Sequence, residues 1–157
     1  MKFEHLLEIN NFDQPGAQIL DRNQLWNGLL LWIEKPTLFI PHLEKCDVTE
    51  LMGVYHRSLD YGKFSFTDKV TCTHQERIVF DIEAQGEMPS TSLVVTIEEP
   101  FERRLFVRFI YENTVSDEGP EAKYNGFLKQ AWEAADVDII RTIHEHAAQG
   151  RLNSPES

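Results

Sequence analysis

Cysteine is scarce in this chain: Cys46 and Cys72 are the only two in 157 residues. Two thiols are too few for a disulfide framework. Both fall in strand-like stretches, where a reduced cysteine acts as a small apolar side chain. Long apolar runs are also missing. The longest, Leu29–Ile33, has five residues, against the roughly 20 that a membrane-spanning helix needs. Positive charge is in short supply, with 15 Lys and Arg against 26 Asp and Glu and a formal net charge of −11. Such a chain has few groups with which to displace the counterions of a phosphate backbone. Nucleic acid and anionic membranes are therefore poor partners, and membrane insertion is not expected. The opening residues, Met1 to His5, lack the apolar stretch and small-residue cleavage site of a secretory signal. A cytoplasmic location is the expectation.

Several chemical signatures are absent as well. There is no Gly-rich phosphate loop and no G-x-S-x-G nucleophile elbow. The six histidines make no ligand set at zinc-finger spacing. His42 and Cys46 are kept off a common helix by Pro41 and a strand start, and His144 and His146 are two apart on a helix, so they face differently. No metal and no other cofactor is expected. The acidic pairs Glu98/Glu99 and Glu83/Glu87 read as parts of a solvated face.

What remains is the pattern of one α+β domain, residues 1–152, with a frayed tail at 153–157. The length suits a single domain with a core that needs no staples. Residues 2–10 alternate, with Phe3, His5, Leu7 and Ile9 on one side, as in a half-buried strand. After a Pro15-Gly16 loop, Asp21-Arg22-Asn23-Gln24 has the form of a capping box, and Leu25, Trp26, Leu29, Leu30, Trp32 and Ile33 follow at helical spacing. Pro36 and Pro41 bracket room for one more helical turn. From about 44 to 115 only strands are legible, punctuated by turn residues in the manner of an antiparallel meander. Pro120 suits the first turn of a helix and Gly150 its stop. Tyr124, Phe127, Leu128, Ala131, Ala135, Ile139, Ile143 and Ala147 form its apolar stripe. At roughly 30 residues that helix is about 45 Å long.

A long helix beside a curved antiparallel sheet buries its stripe on the concave face. Side chains alone do not fill the space between, so a cavity is expected there. Which strand residues face it follows from the turns. Tyr61-Gly62-Lys63-Phe64 reads as a two-residue hairpin with Gly first, as a type II′ turn requires. The pairs Tyr61/Phe64, Leu59/Phe66, Arg57/Asp68 and Tyr55/Val70 then share one face. A two-residue turn at Met52-Gly53 adds Cys46, Val48 and Glu50. Further along, Ile78, Phe80, Ile82 and Ala84, then Leu93, Val95 and Ile97 point inward; on the last strand Leu105, Val107, Phe109 and Tyr111 are the better inward set, the alternative, Phe106, Arg108 and Ile110, bringing in a second arginine.

One inward pair is charged. Arg57 and Asp68 oppose one another among Leu59, Phe66, Tyr55 and Val70, and desolvating two ions is expensive. Two readings stay open: a structural ion pair near the open end of the sheet, or a polar anchor for a ligand in an apolar cavity. His5 is a further candidate polar contact. The expected ligand-binding residues are Arg57, Asp68, His5, Tyr55, Leu59, Phe66, Phe80, Val95, Phe109, Tyr111, Ala131 and Ala135.

The order of elements resembles the helix-grip fold of the START-like (SRPBCC) superfamily, which includes the pathogenesis-related class-10 allergens and polyketide cyclases. Several segments are similar to its AtaL-like branch: Met1-Lys2-Phe3-Glu4-His5, Pro36-Thr37-Leu38-Phe39-Ile40-Pro41, Thr96-Ile97-Glu98-Glu99-Pro100, Leu105 to Glu112, and Ala134-Ala135-Asp136. The resemblance spans nearly the whole chain. It implies a curved antiparallel sheet of six to seven strands around the C-terminal helix, with two short helices after the first strand. It further implies a hydrophobic ligand (lipid, aromatic or polyketide-like) between sheet and helix, or an aromatase/cyclase or dehydratase using the same cavity. It brings no agreed set of catalytic residues. Ligand identity, turnover and oligomeric state stay open.

Overall fold

The computed structural model describes residues 1–86 and 89–153, with the side chain of Glu121 left aside. Seven strands form one antiparallel sheet: β1 (Lys2–Glu8), β2 (Lys45–Leu51), β3 (Val54–Asp60), β4 (Ser65–Thr73), β5 (Arg77–Ile82), β6 (Thr91–Phe101) and β7 (Arg104–Asn113). Helix α1 spans Arg22–Glu34, a 3-10 turn spans Pro36–Leu38, and α2 spans Glu121–Ala148. The sheet order is β1-β7-β6-β5-β4-β3-β2. Strands β2 to β7 are thus a plain meander, and β1 closes onto the last of them, with His5 opposite Phe109 and Phe3 opposite Tyr111. Among the described residues no helix is long and apolar enough to cross a membrane.

Local chemistry accounts for the boundaries. The Asp21 side chain accepts from the Gln24 backbone N–H at 2.8 Å, and Gln24 Oε1 accepts from the Asp21 N–H at 2.9 Å. This capping box satisfies two amides that the first helical turn leaves unpaired. Lys35 precedes Pro36, which disfavours helical backbone at the residue before it, and α1 stops there. Asn10 fastens the loop between β1 and α1: its Nδ2 donates to the carbonyls of Leu20 and Arg103, and its Oδ1 accepts from the Leu20 N–H.

The hairpin turns set the registers expected of them. Met52 and Gly53 both take positive φ, 54° and 80°, as a type I′ turn demands, and Val48 sits opposite Arg57. Gly62 has φ 85°, and Arg57 lies opposite Asp68, Leu59 opposite Phe66 and Tyr55 opposite Val70. On the inner face Ile78, Phe80, Leu93, Val95, Ile97, Leu105, Val107, Phe109 and Tyr111 are buried. Ala84 is a correction. Strand β5 ends at Ile82, and Ala84 lies beyond it, exposed, because the pairing with β6 begins only at Ile82 opposite Thr91.

Helix α2 packs against α1 through its second half, and its first half reaches the sheet through Trp132, which stacks on Tyr111 and Phe3. Ile139, Ile140, Ile143 and Ala147 are buried in the common core with Leu25, Trp26, Leu29 and Ile33 of α1. Gly28 permits the close crossing, since a Cβ there would stand 2.5 Å from Ile143 Cγ2. In the first half the expected stripe is not buried. Tyr124 and Phe127 are 59% and 61% exposed, and Ala131 and Ala135 are exposed too. The inward face is rotated to Trp132, Asp136, Ile139, Ile140 and Ile143, the direction α1 and β1 impose. Past the helix, Gly150 has φ 73°. Asn27 Nδ2 then donates to the Leu152 carbonyl, and Gln24 Nε2 donates to Asn153 Oδ1 at 2.7 Å. Asn153 is therefore held against α1; the rest of the expected tail, 154–157, lies outside the described residues, as does Glu87.

Candidate functional site

Where α2 lifts away from the sheet, a cavity of about 310 Å³ opens beneath it. Its floor is the inner face of β3 to β7, through Arg57, Leu59, Phe66, Asp68, Phe80, Ile82, Thr91, Leu93 and Tyr111. One wall is the end of α1 and the segment after it, with Trp32, Phe39, Ile40 and Pro41. The roof is Trp132, Ala135, Asp136, Asp138 and Ile139 of α2, and Tyr61 stands at the hairpin tip. Seven of the lining residues are aromatic. Trp32 lies 4.9 Å from Phe80, and Trp132 stacks on Tyr111 at 4.2 Å and 14°.

Two polar clusters interrupt this apolar surface. The first is the buried pair that the hairpin register places inward. Arg57 Nε donates to Asp68 Oδ1 at 2.9 Å and Nη2 donates to Oδ2 at 2.6 Å, a bidentate geometry. Nη1 donates to the Ile33 carbonyl in the last turn of α1 at 3.0 Å, and the guanidinium carbon lies 5.4 Å from the Phe80 ring centroid. These bonds use three of the five guanidinium N–H groups. Arg57 thus ties β3, β4 and the end of α1 together with donors to spare.

The second cluster centres on Asp136, whose side chain is 1% exposed. Tyr111 donates its hydroxyl to Asp136 Oδ1, and His5 Nδ1 lies 3.3 Å from Oδ2. Burial pushes the Asp136 carboxyl up to about 6, partly offset by the Tyr111 and His5 hydrogen bonds. Burial, with the Asp136 charge behind it, pushes the Tyr111 phenol well above its usual range. His5 reaches this carboxyl from the outer side, in a shallow depression with Glu133 and Val137.

Of the residues expected to contact a ligand, Arg57, Asp68, Leu59, Phe66, Phe80, Tyr111 and Ala135 line the cavity. The others do not. Tyr55, Val95 and Phe109 face inward as expected but lie in the solid core with α1 and the end of α2. His5 is separated from the cavity by Asp136, and Ala131 points to solvent because the helix is rotated. Residues the reading of the strands missed are Trp132, Asp136 and Ile139 from α2 and Trp32, Phe39, Ile40 and Pro41 from the α1 side. A signal for the first group was available. Trp132, Asp136, Ile139, Ile140 and Ile143 recur at helical spacing, and one acid within an apolar stripe marks a buried carboxylate. Among the described residues no group of three or more His, Cys, Asp or Glu is arranged to hold a metal ion.

A long helix gripped by a curved seven-stranded sheet is the helix-grip fold of the START-like superfamily. The sequence profile of one of its families, acetylaranotin biosynthesis cluster protein L (AtaL), matches residues 8–150. This chain belongs to that family. No curated protein matches it in sequence. Among solved structures, the di-domain ARO/CYC StfQ from the steffimycin biosynthetic pathway superposes with a TM-score of 0.74 at 11% identity, covering 94% of this chain and 51% of that one. The chain thus spans about half the length of that di-domain protein. The Zhui aromatase/cyclase from a Streptomyces species gives 0.66 at 13% identity, over 95% of this chain and 94% of that one. Ara h 8.0201 gives 0.58 at 10%, over 95% and 98%. At such identities the likeness speaks for the fold.

Proposed function

We propose that the protein binds a small, largely apolar molecule, aromatic or polyketide-like, in the cavity beneath α2. The observation that carries this reading is an aromatic-lined space of about 310 Å³ into which two hydrogen-bonded polar clusters face. A cavity that is mostly apolar with a few placed polar groups is the usual form of a small-molecule site. The remaining Arg57 N–H groups would hold a carbonyl or ether oxygen of the ligand, because Asp68 already matches the guanidinium charge. Trp32, Phe80 and Trp132 would cover its flat faces. The test is native mass spectrometry of the purified protein with thermal melting in the presence of neutral aromatic ligands. A retained small molecule, or a saturable rise in Tm, supports the reading. No bound species and no rise with any ligand rejects it.

A second reading, an aromatase/cyclase or dehydratase-type enzyme, draws on one specific feature: the hydrogen-bonded Tyr111–Asp136 pair in the cavity wall. An acid pushed to about 6 is near the range that general acid–base chemistry favours. On that reading Asp136→Asn abolishes turnover of a polyketide-like substrate while binding survives. Equal turnover in the variant rejects it.

A further inference from the structure

The charges around the cavity are unequal, and their inequality bears on which ligand can enter. The lining contains one cation, Arg57, and three carboxylates, Asp68, Asp136 and Asp138. Arg57 is matched within 2.9 Å by both oxygens of Asp68, so it offers hydrogen bonds but no uncompensated positive charge. Asp138 stands at the mouth, its side chain 58% exposed and paired with Arg141 at 3.2 Å. Asp136 is different. It is buried, no Lys or Arg among the described residues pairs with it, and its described partners are the Tyr111 hydroxyl and His5 Nδ1. Glu133, on the same helix, adds to the negative potential there.

Each Asp136 oxygen already has a described partner and the side chain is 1% exposed, so what reaches a ligand from this carboxylate is the field of its charge. A second anion in the same space meets a like charge in a setting where water screens poorly.

We propose that Asp136, held by Tyr111 and His5, is the specificity-determining residue of the cavity: the field of its unpaired charge favours cationic ligands and rejects anions of the same shape. This rests on the cavity reading above and narrows it, since fatty acids and other carboxylates are excluded while neutral or cationic aromatic molecules are admitted.

The test uses a matched series on the full chain at mildly alkaline pH: 2-naphthol, 2-methylnaphthalene, 2-naphthylmethylamine and naphthalene-2-sulfonate, with affinities from calorimetry. In the native protein the neutral 2-naphthol and 2-methylnaphthalene should both bind, as references for the charged pair. The amine should exceed the sulfonate by about tenfold or more, the size expected for a buried charge acting on ligands of opposite sign. Both amine and sulfonate must lose hydration, so their ratio reports the sign of the field rather than desolvation alone. In Asp136→Asn that ratio should collapse toward unity, a change that a merely structural role would not produce. Should the variant not fold, the native amine-to-sulfonate ratio decides by itself. A sulfonate that binds the native protein as tightly as the amine, or a ratio unchanged in a folded Asp136→Asn, overturns the assignment while leaving the cavity reading intact. Failure of all four to bind overturns both.

Discussion

The two halves of α2 lie on one unbroken helix and meet the sheet in different ways. The second half is packed solid: Ile143 has no exposed surface and rests against Gly28 of α1, where even a methyl group would collide. The first half carries alanines at 131, 134 and 135 and leaves Tyr124 and Phe127 in solvent. Beneath it Trp132, Ala135 and Asp136 roof the inner face of the sheet without filling the space, and the cavity occupies that gap. One half thus supplies stability and the other supplies space, with Asp136 at the boundary.

That contrast can be broken most severely at the buried ion pair, which ties the cavity floor to α1. Arg57→Ala strands the Asp68 carboxylate and the Ile33 carbonyl, and should lower unfolding free energy by about 3–5 kcal/mol in urea titrations. A near-neutral result would place the pair in water. In the packed half, Ile143→Ala should cost about 2–4 kcal/mol by the same measurement, because the surrounding helices relax only partly into the space. At the boundary the effect depends on pH. The Asp136 carboxyl moves from 3.8 to about 6 on folding, so the native state holds the extra proton between those values. Its contribution to stability is therefore full below 3.8 and is lost as pH rises through about 6. Relative to Asp136→Asn, the native chain should gain about 2 kcal/mol between about pH 7.5 and about 4.5; a difference independent of pH would contradict the buried carboxyl. In the lifted half, Phe127→Ser should change stability by less than about 0.5 kcal/mol, and a larger loss would mean that this face is covered.

The same contrast explains how far the sequence could be read. Strand positions were legible because two-residue turns leave no freedom of register: Gly53 and Gly62 alone place Val48, Arg57 and Asp68 on one face. Helix rotation has no comparable constraint. Tyr124, Phe127, Ala131 and Ala135 make a plausible stripe by themselves, and only α1 and β1 turn the helix toward Trp132 and Asp136. That is why the inward placement of Arg57 and Asp68 is legible in the sequence and that of Asp136 is not. Depth was equally hidden. Tyr55, Val95 and Phe109 share the inner face with Phe80 and Tyr111, but alternation tells the face and says nothing of how far along it α1 covers the sheet.

The central claim, that the lifted half of α2 roofs an accessible void, is tested most directly by fluorescence titration with the neutral probe N-phenyl-1-naphthylamine. The native chain should bind it saturably at one site. Ala135→Trp, which fills the roof from an exposed helix position and should leave the fold intact, should weaken binding by about tenfold or more. No saturable binding to the native chain, or equal affinity in a folded Ala135→Trp, would contradict the account.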